Sequence, residues 1–313
     1  MKTSIDLIIR NIGQLVTLDG PPAPRTGEAM GALGVIEGGA VAVRGDRIAA
    51  AGPEADILAA FQAPAGNVID AEGGVVLPGF VDPHTHVLFA GSREREFELR
   101  CQGRSYQEIA AAGGGIRSSV RAFRAAGDDE ILAATRRRCD RMLRLGATTV
   151  EAKTGYGLDV EQELRALRLI GRLSAEHPVD LVPTFLGAHE FPDEYRNDRD
   201  GYVRLIVEEM IPRVAAERLA VFCDVFCEEG VFTAAQSRAV LTAARAHGLG
   251  LKLHADEFAP IGGAELASEL RAVSADHLLR VTEQGLLALR AGGVTAVLLP
   301  ATSFSLGGEH YAP

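Results

Sequence analysis

Two histidines, His84 and His86, lie two positions apart in the segment "GFVDPHTH". They follow an apolar run from Val75 to Val81, which predicts a buried strand with a kink at Pro78 and Gly79. Because side chains at i and i+2 of a strand point to the same face, both imidazoles are expected to leave the strand end together. Two imidazoles side by side can bind one metal ion, although an HxH pair alone is often a chance arrangement on a solvated strand.

Further polar residues recur where later apolar runs of the chain end. Five of the eight histidines fall at such positions. In a parallel α/β barrel, catalytic side chains lie at the carboxyl ends of several strands, so these residues are expected to meet. The pattern therefore predicts a metal centre, with these candidates after the second to the sixth strand: Lys153, Tyr156, His189, Glu228, His254, Glu257 and His277.

From residue 76 onward, apolar strands alternate with amphipathic helices, which predicts a parallel α/β architecture. A doubly wound sheet would usually carry a glycine-rich phosphate loop directly after its first strand, and "GGGIRSSV" does not follow a strand, so a TIM barrel is favoured. Residues 1–75 contain short runs between Gly, Pro and Asp turns, which predict a small antiparallel β domain with a hairpin at Arg44–Asp46. The chain thus divides into residues 1–75 and 76–313. Helices are predicted at residues 128–145, 160–174, 202–214, 234–247, 262–270 and 281–291.

Composition narrows the class of partner and the compartment. The net charge of −10 over 313 residues argues against nucleic acid and anionic membranes, and no apolar run approaches a membrane span. Asp6 and Arg10 interrupt the N-terminal apolar stretch, which argues against a signal peptide. Four cysteines without secretory context indicate reduced thiols in the cytoplasm, and Cys223 and Cys227 are interpreted as small core residues. Only three of the 32 basic residues are lysines, which we ascribe to codon usage.

The strand-end pattern resembles that of the amidohydrolase superfamily, which has HxH on strand one, single histidines on strands five and six, and an aspartate on strand eight. Six segments closely resemble the imidazolonepropionase family of histidine degradation over essentially the whole chain. The resemblance implies an α/β fold, a metal-dependent amidohydrolase-type TIM (β/α)8 barrel, with a small N-terminal β-sandwich-like domain. The segments are "FAGSREREFELR", "AAGGGIRSSVRA", "EAKTGYGL", "FLGAHEFP", "LKLHADEF" and "SADHL".

The resemblance also implies a reaction and a site. The ring C–N bond of 4-imidazolone-5-propanoate would be hydrolysed to N-formimidoyl-L-glutamate by water that Zn2+ or Fe3+ (zinc or iron) activates, in the cytoplasm, and a homodimer is left open. Arg93 could bind the propanoate carboxylate with its planar fork, and Glu257 could move a proton. Lys153 is interpreted as structural, since its place on strand two does not suit a metal-bridging carbamate. The implied metal ligands are His84, His86 and His254; the implied substrate-binding residues are Arg93, Tyr106, Tyr156, His189 and Glu257; the implied catalytic residues are Glu257 and His277.

The family pattern continues to an aspartate on strand eight, whereas this sequence ends at "LGGEHYAP" after strand seven. We therefore expect a barrel lacking strand eight, with open edges, poor solubility and negligible hydrolysis for residues 1–313 alone. Two alternatives stay open. A related cyclic-amidine or nucleobase deaminase would share the histidines but would not need Arg93, and a non-enzymatic remnant would accord with the missing aspartate.

Overall fold

A computed structural model describes residues 2–21, 23–104, 108–109, 113–306 and 311–313. The chain divides into two compact units, Met1–Gly79 and Phe80–Pro313. The first unit contains mainly short strands, and the second alternates strands with helices.

The first unit is built on a mixed sheet. Its elements are β1 Thr3–Ser4, β2 Leu7–Val16, β3 Val35–Arg44, β4 Arg47–Pro53, α1 Glu54–Ala60, β5 Phe61–Gln62, β6 Val68–Asp70 and β7 Val75–Val76. The predicted hairpin is confirmed, because β3 and β4 pair antiparallel and Arg44 lies opposite Arg47. The expectation of a wholly antiparallel unit is wrong, since β6 and β7 both pair with β2 in parallel. β4 already runs in the direction of β2, and the connection through α1 carries the chain back so that β6 and β7 can run in that direction again.

The second unit contains a seven-stranded parallel sheet, which confirms the predicted α/β class. Its strands are β8 Phe80–Asp82, β9 Ala147–Lys153, β10 Asp180–Ala188, β11 Phe222–Cys227, β12 Gly250–Ala255, β13 Ser274–His277 and β14 Thr295–Val297. Neighbours in the chain are neighbours in the sheet, from β8 to β14. Every strand pair is parallel, so all seven carboxyl ends lie at the same edge.

Helices connect these strands. They are α2 Glu94–Cys101, α3 Ile116–Ala125, α4 Asp128–Arg144, α5 Val160–Glu176, α6 Arg199–Leu205, α7 Ile211–Ala216, α8 Ala234–Ala246, α9 Gly263–Glu269, α10 Glu283–Gly292 and α11 Pro300–Ser305, with a π-helical turn at Ile206–Met210 between α6 and α7. All six predicted helices are confirmed, and several of them begin after a residue whose side chain caps the helix. Asp159 accepts a hydrogen bond from the Gln162 backbone before α5, and Thr233 forms a capping box with Gln236 before α8.

The apolar run before the histidines is not one buried strand, contrary to the prediction. The residues between β7 and β8, which include Pro78 and Gly79, separate two short strands that belong to different sheets. Val75, Phe80 and Val81 are 56%, 57% and 63% exposed. Phe80 and Val81 lie on β8, which forms one edge of its sheet among the described strands and so has a neighbouring strand on one side only.

The main core of the second unit lies between strands and helices. It joins strand residues such as Phe185, Val225 and Leu253 to helix residues such as Tyr202 and Leu241. Three of the four cysteines are buried, which confirms the core interpretation of Cys223 and Cys227, whereas Cys101 at the end of α2 is exposed. None of the helices in the described part of the chain has the length and apolar character needed to cross a membrane.

Candidate active site

A cavity of about 290 Å³ lies at the carboxyl ends of the parallel strands. It is lined by every described residue to which the family resemblance assigned a role, while Tyr106 lies outside the described residues. The other two strand-end candidates, Lys153 and Glu228, do not line it. Parallel strands in chain order place these distant sequence segments at one edge. The lining residues are His84, Thr85, His86, Arg93, Ile116, Tyr156, His189, Phe226, His254, Glu257, Phe258, His277, Leu299, Thr302 and Leu306.

Three histidines form the most compact group in this cavity. Ligand atoms of His84, His86 and His254 all lie within 4.8 Å of one another. The Nε2 atoms of His86 and His254 are 3.2 Å apart, close to the roughly 3.3 Å that separates two ligands 2.0–2.1 Å from a tetrahedral ion. The pKa values of His84 and His86 are lowered well below the ordinary value, mainly by burial. Both rings are therefore neutral at pH 7, as metal binding requires. The donor set therefore fits a divalent metal ion.

Beneath the histidines lies a set of buried charges that sequence reasoning did not assign to the site. Asp276 Oδ2 is 2.6 Å from His84 Nδ1, and Asp224 Oδ2 is 3.0 Å from His254 Nδ1. The Lys153 ammonium, interpreted from sequence as structural, is fully buried and donates to Asp224 at 2.6 Å. A sequence signal was present for two of the buried charges, because Asp224 and Lys252 interrupt apolar stretches in "FCDVFC" and "GLKLHA". Such residues are rarely buried unless they are paired.

The loop after β9 carries Tyr156, and a buried carboxylate fixes its shape. Glu163 on α5 accepts hydrogen bonds from the backbone N–H groups of residues 155, 157 and 158, at 3.2, 2.8 and 2.9 Å. Gly155 has φ +103, and a Cβ there would lie 2.7 Å from His189 Nδ1, so only glycine fits. His189 Nδ1 in turn lies 2.9 Å from the Gly155 carbonyl oxygen and donates to it. The loop is thus held between α5 and His189.

Replacing Glu163 with leucine is expected to lower the free energy of unfolding by about 3 kcal/mol or more, because three buried N–H groups lose their acceptor. Glu163→Gln keeps an acceptor oxygen and should lose clearly less. Urea denaturation of both variants and of wild type measures the difference. Glu161→Gln is the matched control, since Glu161 lies two positions earlier on the same helix and its side chain is 69% exposed. Equal losses for Glu163→Leu and Glu163→Gln would contradict this role.

Glu257 and His277 face each other across the cavity with unusual proton affinities. Glu257 Oε1 lies 3.5 Å from His277 Nδ1. Burial and the nearby Glu228 raise the pKa of Glu257 to about 8. Burial and the neighbouring His254 lower the pKa of His277 to about 3. At neutral pH, Glu257 therefore holds a proton and His277 is an uncharged ring.

A Glu257→Gln variant is expected to be more stable than wild type at alkaline pH, with metal removed by dialysis against a chelator. The folded pKa of about 8 lies above the ordinary 4.5, so the wild type loses stability as the pH rises from 4.5 through 8. The variant lacks this loss, and the two unfolding free energies should diverge by on the order of 4 kcal/mol between pH 5 and pH 9. Urea denaturation at both pH values checks this, with the exposed Glu229→Gln as control. A constant difference across that range would refute the assignment.

Arg93 supplies the positive charge of the cavity. Its Nε and Nη2 atoms donate to the hydroxyl of Ser119 on α3, at 3.1 and 2.9 Å. Among the described residues that line the cavity, Arg93 is the only arginine or lysine. Tyr156 lines the same space, and burial raises the pKa of its phenol, which stays protonated. The cavity can therefore bind an anionic group at one side and offer a hydroxyl donor beside it.

Comparisons with known proteins agree with this geometry. A profile of the Amidohydrolase family matches residues 67–114, and one of the Imidazolonepropionase-like composite domain, bacteria, matches residues 39–61. The zinc-bound crystal structure of an adenosine deaminase from Xanthomonas campestris has a TM-score of 0.63 at 18% identity, covering 98% of this chain and 65% of that one. At such low identity the likeness shows the fold alone.

Closer relatives share the sequence itself. The imidazolonepropionase of Solibacter usitatus (strain Ellin6076) is 53% identical over 306 residues, which cover 98% of this chain and 73% of that protein. The imidazolonepropionase of Shouchella clausii (strain KSM-K16) is 51% identical over 303 residues, covering 96% of this chain and 68% of that protein. Thus the chain spans about 70% of the length of these relatives. With such identity over nearly its whole length, the chain belongs to the imidazolonepropionase family of amidohydrolases.

Proposed function

We propose that this chain carries the metal-binding and substrate-binding groups for hydrolysis of 4-imidazolone-5-propanoate to N-formimidoyl-L-glutamate. The observation that carries the proposal is the shared cavity. The three clustered histidines, one arginine and a protonated carboxyl group line the same 290 Å³. A small heterocycle with a single carboxylate matches this set, because the ring needs hydrogen-bonding groups and the carboxylate needs a fixed cation. Relatives about half identical to this chain bear the name of that activity.

The proposed metal ligands are His84, His86 and His254, whose ligand atoms meet in the cavity. The Nε2 atoms of His86 and His254 lie 3.2 Å apart. An ion held there supplies Lewis-acid chemistry, which lowers the pKa of water from 15.7 to roughly 7. Histidine nitrogens suit both zinc and iron, so Zn2+ and Fe3+ remain the two proposed cofactors.

Arg93, Tyr156 and His189 orient the substrate in this proposal. The Arg93 guanidinium binds the propanoate carboxylate through charge-assisted hydrogen bonds. The protonated Tyr156 phenol donates to an oxygen of the substrate. His189 donates from Nδ1 to the Gly155 carbonyl, so its Nε2 carries a lone pair and accepts a hydrogen bond from a ring N–H. The three groups together fix which face of the ring meets the histidines.

Glu257 and His277 handle the protons in this proposal. Hydrolysis adds the hydroxyl of water to the ring carbonyl carbon and a proton to the ring nitrogen as the C–N bond breaks. Glu257 holds a proton at neutral pH and can deliver it to that nitrogen, and the proton that water loses when its hydroxyl adds to carbon returns to the Glu257 carboxylate. His277 is uncharged, lies 3.5 Å from Glu257, and has no hydrogen-bond partner at Nε2 among the described residues. It can therefore accept a hydrogen bond from water or substrate.

The test incubates zinc- or iron-loaded protein with 4-imidazolone-5-propanoate and measures N-formimidoyl-L-glutamate by mass spectrometry. Product above a chelator-treated control supports the proposal. Binding of imidazole-4-propanoate, which has the ring and the carboxylate but no scissile amide, provides a second readout by calorimetry. Ammonia release from cytosine or adenine without imidazolone hydrolysis would favour the deaminase alternative. If the protein neither binds imidazole-4-propanoate nor hydrolyses 4-imidazolone-5-propanoate, a non-enzymatic role would be favoured.

Several finer assignments remain proposals. We propose that the parallel sheet belongs to a (β/α)8 barrel, and that the first unit, Met1–Gly79, is β-sandwich-like. Four unpaired thiols support the proposed cytoplasmic location. A homodimer is a proposal from family resemblance.

A further inference from the structure

A cluster of five charged side chains lies buried beneath the three histidines. Each member is at most 5% exposed. A buried charge is costly unless it is paired and hydrogen-bonded, so the arrangement of these groups is fixed by their contacts with each other. None of them has a part in the reaction proposed above. The members are Glu151, Lys153, Asp224, Lys252 and Asp276.

Lys153 is the cation that the three carboxylates share. Its Nζ lies 2.6 Å from Asp224 Oδ2, 2.9 Å from the Glu151 carboxylate and 3.5 Å from Asp276 Oδ2. Lys252 is more peripheral, since it donates to the Ser274 hydroxyl at 2.8 Å and approaches Asp276 only to 3.7 Å. The two lysines therefore contact different side chains, and of the two only Lys153 connects Asp224 with Asp276.

Each of these aspartates also faces a ring nitrogen of a proposed metal ligand. Asp276 Oδ2 is 2.6 Å from His84 Nδ1. Asp224 Oδ2 is 3.0 Å from His254 Nδ1, and its Oδ1 accepts the His254 backbone N–H at 3.2 Å. The Asp276 contact has hydrogen-bond geometry, whereas the Asp224 carboxylate lies close to His254 Nδ1 without such geometry and acts through its charge. A carboxylate beside Nδ1 favours the tautomer with its proton on Nδ1, which leaves the Nε2 lone pair for a metal.

The composition adds an independent observation. Only three of the 32 basic residues are lysines, and two of these three are buried in the cluster. A codon preference explains arginine elsewhere but not these two exceptions. A compact ammonium can contact three carboxylates around one point, whereas a planar guanidinium presents its donors in a rigid fork. The cluster therefore requires lysine at position 153 for a geometric reason.

We propose that Lys153 is a positioning residue, which acts through Asp276 and Asp224 to fix the Nδ1–H tautomers of His84 and His254 and thereby presents both Nε2 atoms to the cavity. The inference rests on the ligand roles of His84 and His254 in the proposed function. It gives part of the buried cluster a role beyond stability, because Lys153 and the two aspartates set which nitrogen of each ring is available.

The test is ¹⁵N NMR of histidine-labelled, metal-free full chain, with His84 and His254 assigned from single histidine variants. The wild type should show both rings protonated at Nδ1 only. Lys153→Met should mix the tautomers of both rings and weaken zinc binding, measured by chelator competition, by about 10–100-fold, the range for loss of an outer-shell partner. Lys252→Met is the matched control, which should leave the His254 tautomer unchanged and reduce zinc affinity less.

Several outcomes would overturn the inference. They are an Nε2–H tautomer at either ring in the wild type, or wild-type tautomers and zinc affinity in Lys153→Met. If Lys153→Met does not fold, the double variant Lys153→Met/Asp224→Asn removes both charges of the 2.6 Å pair, and unchanged His254 signals there would also refute it. A wild type that shows the expected tautomers but binds no zinc would instead refute the proposed function and leave the tautomer inference standing.

Discussion

Replacing His254 with alanine is expected to weaken zinc binding by more than about 100-fold, because loss of an outer-shell partner alone costs about 10–100-fold and this change removes a proposed ligand. His254 Nε2 lies 3.2 Å from His86 Nε2, and among the described residues no other histidine forms a close ligand group with His84 and His86. Competition with a chromophoric chelator measures the affinity. The loss should also abolish metal-dependent stabilisation in thermal unfolding.

His247→Ala is the matched control for this experiment. His247 lies at the end of α8 and is exposed, so its removal should leave zinc affinity unchanged. Wild-type affinity in His254→Ala would mean that the metal binds elsewhere, and the three-histidine cluster would then need another explanation. Equal weakening by both variants would point to adventitious binding by surface histidines.

Replacing Arg93 with methionine is expected to weaken binding of imidazole-4-propanoate by roughly 10–150-fold, which corresponds to the 1.5–3 kcal/mol of a hydrogen bond to a charged group. Arg93→Lys should lose a smaller part of this affinity, since an ammonium restores the charge but not the planar fork. In steady-state kinetics the loss should appear mainly as a higher KM. Ligands that lack the carboxylate should bind wild type and variants equally.

Arg95→Met provides the control for Arg93, because Arg95 is an exposed residue on α2 that does not line the cavity. It should bind imidazole-4-propanoate as the wild type does. An unchanged KM for 4-imidazolone-5-propanoate in Arg93→Lys would count decisively against the carboxylate-binding role. In that case the main role of Arg93 would be its hydrogen bonds to Ser119.

The regular elements of the second unit could be predicted because their patterns are local. The helix at residues 128–145 has apolar side chains at helical spacing and a glycine at its end, and the structure has Asp128–Arg144. The helix at residues 94–101 was not predicted, since "REREFELR" has too few apolar residues to show a period, and none of its residues is buried. Apolar residues recur at helical spacing when one face of a helix is buried. A helix without a buried face therefore shows little of this pattern in its sequence.

Some residues of the site were predicted from a strand geometry that the structure does not have. His84 and His86 were expected to project from a strand, yet β8 ends at Asp82 and both lie in the segment that follows. Both nevertheless line the cavity. The pairing of Asp276 with His84 could not be predicted, because these residues are 192 positions apart and only the order of strands in the sheet brings them together. Contacts between the ends of distant strands depend on tertiary packing.

The unequal burial of the four thiols makes this protein convenient to label. Cys139, Cys223 and Cys227 are buried, and Cys101 is exposed at the end of the helix that begins next to Arg93. A maleimide dye would therefore attach at one place without any prior cysteine substitution. The dye would sit about 12 Å along the helix axis from Arg93, at 1.5 Å per residue. Fluorescence from that position offers a direct optical report of carboxylate ligands arriving at the arginine, in the native sequence.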